Sequence, residues 1–136
     1  MLDRRAALAL PFLLLGCAGA DREDTLDRML RYSAEQAAPK SETVHTFALV
    51  ARRGEADHGF RVILHADKCY AVLAVADGTV TDVNLQVFDP IGAVAAKTNA
   101  EAPKLELCAK RSGPYRVKLH VTGRGRVRAG VYERRL

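Results

Sequence analysis

The chain has 136 residues, a length that suits a single domain and can bury a substantial core. Its composition, 49% hydrophobic and 27% charged, excludes a wholly disordered protein. Tryptophan is absent and aromatic residues are few, which leaves little from which to build a sugar-stacking or base-stacking platform. The net charge of +5 indicates an anionic partner, and nucleic acid is the usual first candidate until the compartment is known.

The first twenty residues have the pattern of an export signal. A short basic head, Arg4-Arg5, precedes an apolar run from Ala6 to Gly16 that is too short to span a bilayer comfortably. The run ends in Leu14-Leu15-Gly16-Cys17, which resembles the bacterial lipobox. That resemblance implies that Cys17 is acylated and becomes the new N-terminus, with Ala18 compatible with transfer to the outer membrane. The alternative is an ordinary signal peptide cleaved within 18–20, and both interpretations imply export.

We therefore expect a signal peptide over 1–16, a lipid-anchor tether over 17–20, a helix over 21–38 and a β-sandwich domain over 42–136. The predicted location is the bacterial cell envelope, with the outer membrane favoured. An exported protein does not meet nucleic acid, so nucleic acid is excluded as a partner. The first remaining candidate is the membrane itself, reached through the lipid anchor. The others are anionic lipid, an envelope polyanion or another envelope protein.

The helix prediction rests on an apolar stripe. Its members recur at intervals of three and four residues: Leu26, Met29, Leu30, Ala34 and Ala37. Asp21 or Asp24 can cap the start of the helix, and Pro39 ends it. A stripe of this kind is expected to dock on the rest of the domain.

After Pro39 the apolar residues alternate with polar ones, as in half-buried strands. The predicted strands are 44–51, 60–65, 69–76, 82–88, 93–97 and 105–108, followed by a final hairpin. Turn signals separate them, among them Asp57-His58-Gly59 and the type I turn Asp89-Pro90-Ile91-Gly92. The hairpin is expected to turn at Gly123-Arg124-Gly125. About eight short strands with no helix between them predict a mainly β fold, an antiparallel sandwich or jelly roll preceded by one amphipathic helix.

Over about residues 60–132, the chain resembles the β-sandwich domains of pre-peptidase C-terminal type. The motifs that carry the resemblance are Cys69-Tyr70, the strand and turn from Asp82 to Gly92, Leu105-Glu106-Leu107-Cys108, Gly113-Pro114-Tyr115-Arg116-Val117 and the closing run from Gly125 to Tyr132. The resemblance implies a non-catalytic module with a binding or folding role, of the kind often appended to secreted enzymes. Some such domains bind calcium, which makes Asp82 and Asp89 candidate ligands, although Asn84 stands where an aspartate is common.

Three cysteines divide into Cys17 and a pair, Cys69 and Cys108, which an oxidising compartment would join in a disulfide. The bridge would close a loop of about 40 residues, worth about 4 kcal/mol by the chain-entropy estimate. By strand parity Cys108 shares the outward phase of Lys104 and Glu106, so we expect the bridge to lie at a sheet margin or to follow a bulge.

The last two strands carry a candidate anion-binding patch. Its members are Arg116, Lys118, Arg124, Arg126 and Arg128. If the two strands pair, these cations share one face and can bind phosphate or carboxylate. The alternative is that they protect an exposed sheet against edge pairing.

The sequence thus favours a non-enzymatic envelope lipoprotein, a binding or structural module displayed at the membrane surface, with no cofactor. A second hypothesis is a calcium-stabilised accessory domain of a secreted enzyme or secretion complex. A small hydrolase is less favoured, because no Gly-x-Ser-x-Gly motif and no metal-type histidine spacing occurs.

Overall fold

The computed structural model describes residues 24–52, 54–98 and 103–135, the side chain of Glu55 excepted. It contains one helix, α1 (Thr25–Ala37), and eight strands. The strands are β1 (Glu42–Ala51), β2 (Glu55–Leu64), β3 (Cys69–Ala76), β4 (Asp82–Phe88), β5 (Val94–Lys97), β6 (Lys104–Cys108), β7 (Gly113–Thr122) and β8 (Gly125–Glu133). The predicted leader and tether, with Cys17, lie outside the described residues and stay predictions.

The strands form two four-stranded antiparallel sheets. Sheet A has the order β1-β8-β3-β6, and sheet B has the order β2-β7-β4-β5. Side chains from the two inner faces meet in one core, in which β4 and β7 show the expected alternation of buried and less buried residues. The predicted fold class, an antiparallel β-sandwich of eight strands preceded by one helix, is confirmed.

Helix α1 covers the outer face of sheet A over its two central strands, β3 and β8. Asp24 caps it by accepting a hydrogen bond of 2.8 Å from the backbone N–H of Leu26. Leu30 and Ala34 pack against Leu73 and Tyr132 in a second, smaller core. Because β3 has the main core on one side and the helix on the other, its residues 70–74 are all buried. Within the described ranges, no helix has the length and apolar character needed to cross a membrane.

The predicted final hairpin is wrong. β7 pairs with β2 and β4 in sheet B, whereas β8 pairs with β1 and β3 in sheet A. The short connection between them crosses from one sheet to the other. Gly123 and Gly125 both have positive φ, +108° and +154°, and a Cβ on either would collide with backbone oxygens of Thr79 or Asp77. The glycines therefore allow a tight crossing over the loop that follows β3.

The turn predicted at residues 57–59 is also wrong, because β2 runs through it. Asp57, His58 and Gly59 each have a partner in β7. Pairing with β7 satisfies the backbone polar groups of this segment, although its composition is typical of turns. By contrast, the predicted turn at Asp89 is present: its carbonyl accepts from the N–H of Gly92 at 2.9 Å. The Oδ1 atom of Asp89 also accepts from the N–H of Ile91 and of Ala93.

Candidate functional site

The five predicted anion-binding residues do not share a face. Arg116 and Lys118 lie on the outer face of sheet B, Arg126 and Arg128 lie on the outer face of sheet A, and Arg124 lies in the connection between the sheets. The division follows directly from the separation of β7 and β8. The condition on which a single patch depended, pairing of these two strands, is not met.

The two arginines on sheet A are bound to carboxylates of this chain. Arg126 donates to Asp77 through Nε at 2.9 Å and Nη2 at 2.7 Å, and through Nη1 to Asp24 at 2.7 Å. Arg128 donates to Asp24 at 3.2 Å and to Asp27 at 3.1 Å. The backbone N–H and the guanidinium of Arg126 hold the pKa of Asp77 below its ordinary value. These contacts fasten the start of α1 to β8, and we call them the helix clamp.

The outer face of sheet B is not covered by any described element, since α1 lies on the other sheet. The strand register sets side chains of this face in three rows: Asp57 with His120 and Asn84, Lys118 with Gln86 and Lys97, and Arg61 with Arg116 and Phe88. The first two rows border a shallow polar groove of about 500 Å³. This face is the candidate binding surface.

At one end of the groove, Asp57 has two partners, a histidine and a lysine. His120 Nδ1 lies 2.6 Å from its Oδ1, and Lys118 Nζ lies 3.4 Å from its Oδ2. The hydrogen bond from His120 is the main cause that lowers the pKa of Asp57. A His–Asp pair can orient a general base, but such a base needs a nucleophile beside it. The one hydroxyl among the groove residues, Thr98 Oγ1, is buried and accepts from the N–H of Leu85 at 3.1 Å.

The other end of the face is cationic. Arg61 and Arg116 are cross-strand partners, and the Cζ atom of Arg116 lies 4.5 Å from the ring centroid of Phe88. Among the described residues, the neighbours of this arginine pair on the face include no carboxylate. Like charges placed directly opposite each other destabilise a sheet. We call Arg61, Arg116, Lys118 and Lys97 the cationic cluster.

Arg61, Lys97 and Phe88 were not predicted as site residues. The outward phase of Arg61 could be read from the sequence once β2 is continuous, because Asp57, Gly59 and Arg61 alternate with inward residues. The meeting of the three unpredicted residues with Arg116 and Lys118 depends on the strand order of sheet B, which alternation does not encode.

The calcium candidates lie far apart. Asp82 begins β4 and Asp89 follows its end, so the length of the strand separates them. Asp82 accepts a hydrogen bond of 3.2 Å from the side-chain amide of Asn84. The carboxylate of Asp89 accepts hydrogen bonds from backbone N–H groups of its own turn. In the part of the chain that the structure describes, no three side chains of the metal-binding types are grouped to hold an ion. Calcium binding itself stays a hypothesis.

The disulfide between Cys69 and Cys108 is present and joins β3 to β6. The two cysteines are direct cross-strand partners, and β6 is an edge strand of sheet A. Cys108 is exposed together with Lys104 and Glu106, as parity predicted. The bridge thus closes the sheet margin, away from the candidate binding surface.

No protein-family model matches the chain, and no curated protein matches it. Among solved structures it is similar to a periplasmic inhibitor of g-type lysozyme from Aeromonas hydrophila. The TM-score is 0.51 and the identity 14%, over 67% of this chain and 88% of that chain. The similarity therefore shows a shared β-sandwich fold.

Two further similarities are weaker. A carbohydrate-binding module, TmCBM61 in complex with β-1,4-galactotriose, gives a TM-score of 0.39 at 14% identity, over 65% of this chain and 66% of that one. A chain of the complex of accessory secretory proteins 1, 2 and 3 from Streptococcus pneumoniae gives 0.40 at 15% identity, over 69% and 92%.

Proposed function

We propose that this protein is a non-enzymatic binding module of the bacterial envelope that holds an anionic partner on the outer face of sheet B. The observation that carries the proposal is the pairing of Arg61 with Arg116 on a face that no described element covers, where their cross-strand partners among the described residues include no carboxylate. Like charges on directly opposite residues of a sheet cost stability, and a carboxylate or phosphate bound between the two arginines would recover it.

The cluster can recognise oxyanions in a defined way. Guanidinium groups form paired hydrogen bonds with carboxylate and phosphate, and the stacking of Arg116 on Phe88 limits the positions that this side chain adopts. Lys118 and Lys97 extend the positive charge along the neighbouring row. A polymer that carries repeated carboxylates or phosphates can contact several of these cations at once.

The envelope location is supported by three features. The first twenty residues have the pattern of a lipoprotein leader, the Cys69–Cys108 bridge is of the kind that persists in oxidising compartments, and a periplasmic inhibitor has the same fold. In this proposal Cys17 carries the lipid. It precedes the helix cap, Asp24, by seven residues, which reach about 24 Å at most. The helix side of the sandwich is then the side nearest the membrane, and sheet B faces away from it.

A non-enzymatic role fits the groove chemistry. The His120–Asp57 pair has no nucleophile beside it among the described groove residues, and the hydroxyl of Thr98 is already bonded. Beside the carboxylates, the groove and the neighbouring arginine pair present amide, ammonium and guanidinium groups, a set that can bind an oxyanion through charge and hydrogen bonds.

The proposal is tested by direct binding. The full chain, extracted from membranes in neutral detergent and immobilised, is exposed to polyglutamate, polyphosphate and glycerol phosphate as carboxylate, phosphate-polymer and lipid-headgroup probes. The double variant Arg61→Thr with Arg116→Thr is compared with Arg28→Ala with Arg135→Ala, which removes two exposed arginines elsewhere.

We expect the first double variant to weaken binding of at least one probe by about tenfold, about 1.4 kcal/mol, and added salt to weaken it further. The control should change little. Equal losses in both double variants would show attraction by net charge alone and would refute the site, as would the absence of binding to all three probes.

A further inference from the structure

In the part of the chain that the structure describes, four strands lie at sheet edges, and one of them lacks the usual protection over most of its length. β5 and β6 have only four and five residues, and β2 carries Asp57 and Arg61. β1 has ten residues, and from Thr43 to Ala51 it contains no Lys, Arg, Asp, Glu or Pro. Natural edge strands are normally kept from pairing with other chains by shortness, charge, proline or a bulge. Among the described edge strands, β1 is therefore the open one over its regular part, from His45 to Ala51.

The free side of β1 is accessible along most of its length. In the described structure β1 has one sheet neighbour, β8, so its second row of backbone donors and acceptors faces outward. Val50 is 59% exposed and Val44 is 38% exposed, a high degree for aliphatic residues of a strand. The register shift between Thr43 and His45 bends one end, and the ladder from His45 to Ala51 is regular.

We propose that two copies of this chain pair antiparallel through β1 and join their A sheets into one continuous eight-stranded sheet. The strand is suited to a second copy because its sequence is self-complementary in this direction. A two-fold axis at Phe47 sets Thr46 opposite Ala48 of the second copy, and His45 opposite Leu49, within the part of β1 whose ladder to β8 is regular. Every facing pair is then uncharged, and the partly buried Phe47 gains a neighbour.

The symmetry fixes how the dimer presents its two faces. A two-fold axis through paired edge strands runs perpendicular to the sheet, so both α1 helices lie on one side of the dimer and both B sheets lie on the other. The two copies of Asp24, where the described chain begins, then lie on the same side of the dimer. One edge pairing buries less than the about 1,600 Å² of a standard stable interface, so the dimer should depend on concentration. The pairing does not rest on the proposed function.

The experiment uses the full chain in the cells that express it. A single cysteine replaces Thr46, and a bis-maleimide with a spacer of about 8 Å, the diagonal cross-strand separation, is added. The matched control is Ile63→Cys, because Ile63 is 56% exposed on β2, which belongs to the other sheet. A second comparison adds Val50→Lys to the Thr46→Cys chain, since lysine protects edge strands.

We expect a cross-linked dimer from Thr46→Cys, none above background from Ile63→Cys, and loss of the dimer when Val50→Lys is added. The Lys variant must retain the native Cys69–Cys108 bridge and protease resistance, and Ala48→Lys replaces it if it does not. Absence of a dimer from Thr46→Cys, equal dimer from Ile63→Cys, or a dimer insensitive to lysine on β1 would each overturn the proposal.

Discussion

The Nη1 atom of Arg126 lies 2.7 Å from the Oδ2 atom of Asp24 and joins strand β8 to the cap of helix α1 across 102 residues of sequence. Arg128 reaches the same carboxylate and also Asp27. The acidic residues lie at the N-terminal end of the helix, where the helix dipole favours negative charge. Arg126 and Arg128, which the sequence placed in an anion-binding patch, therefore bind carboxylates of this chain.

The helix clamp should contribute measurably to stability. Arg128 is only 18% exposed and bonds two carboxylates, so Arg128→Ala is expected to lower the free energy of unfolding by about 1 kcal/mol. The measurement is urea denaturation followed by circular dichroism. Arg28→Ala, on the exposed surface of the same helix, is the control and should change the value by less than about 0.5 kcal/mol. Equal effects of the two substitutions would contradict the clamp.

The clamp also predicts a dependence on pH. Because Arg126 lowers the pKa of Asp77 in the folded protein, the contribution of this carboxylate is present above its unfolded pKa and is lost as the pH falls through the folded value. Asp77→Asn should therefore reduce stability at neutral pH, and the difference from the native chain should shrink below about pH 4. Chemical denaturation at a series of pH values measures this difference. A difference that is constant from neutral pH to the acid range would exclude the linkage.

Replacing one arginine of the pair on sheet B should raise the free energy of unfolding, whereas removal of a stabilising contact would lower it. Arg61→Thr removes one of two like charges that face each other and introduces a residue that favours strands, so it should raise the free energy of unfolding by about 0.5 kcal/mol at low salt. The gain should decrease in high salt, where the repulsion is screened. Thermal unfolding at two ionic strengths tests this. A loss of stability on Arg61→Thr would mean that the guanidinium has a structural partner.

His58 offers a separate test of the core. It lies in β2 as the partner of Leu119, and its Nε2 atom is buried without a hydrogen-bond partner among the described residues. A buried polar atom without a partner costs about 1 to 3 kcal/mol, so His58→Leu should stabilise the protein by about 1 kcal/mol. Denaturant unfolding gives the value, with His65→Leu as the control because that side chain is exposed. Destabilisation by His58→Leu would show that Nε2 has a partner.

The strands themselves could be predicted because each buries one face, and burial leaves a period of two in the sequence. Val83, Leu85 and Val87 show it plainly. Alternation does not say which strand lies beside which, so β7 and β8 were expected to pair because they are consecutive. The glycines between them suit a hairpin and a crossing between sheets equally well. The error in strand pairing is the reason that the five predicted residues were expected on one face, whereas the structure divides them between the two sheets.

The helix was predictable for the same reason as the strands, since its apolar stripe has the helical period. Its sequence also places acidic residues four positions before basic ones, Asp24 before Arg28 and Asp27 before Arg31. In the structure Asp24 and Asp27 bond to arginines of β8. Local spacing ranks near neighbours first, and contacts between elements depend on the docking geometry, which a sequence pattern does not contain.

Strand β3 has no phase that faces water, because the sandwich core covers one side and α1 covers the other. Most strands of a sandwich can exchange their outward residues for other polar ones as a lineage diverges, but Tyr70 to Ala74 lack that freedom. Evolutionary drift should be slowest in this segment. Remote members of the lineage should therefore be recognised by this stretch even where their loops and surfaces have diverged. Its sequence here is Cys69-Tyr70-Ala71-Val72-Leu73.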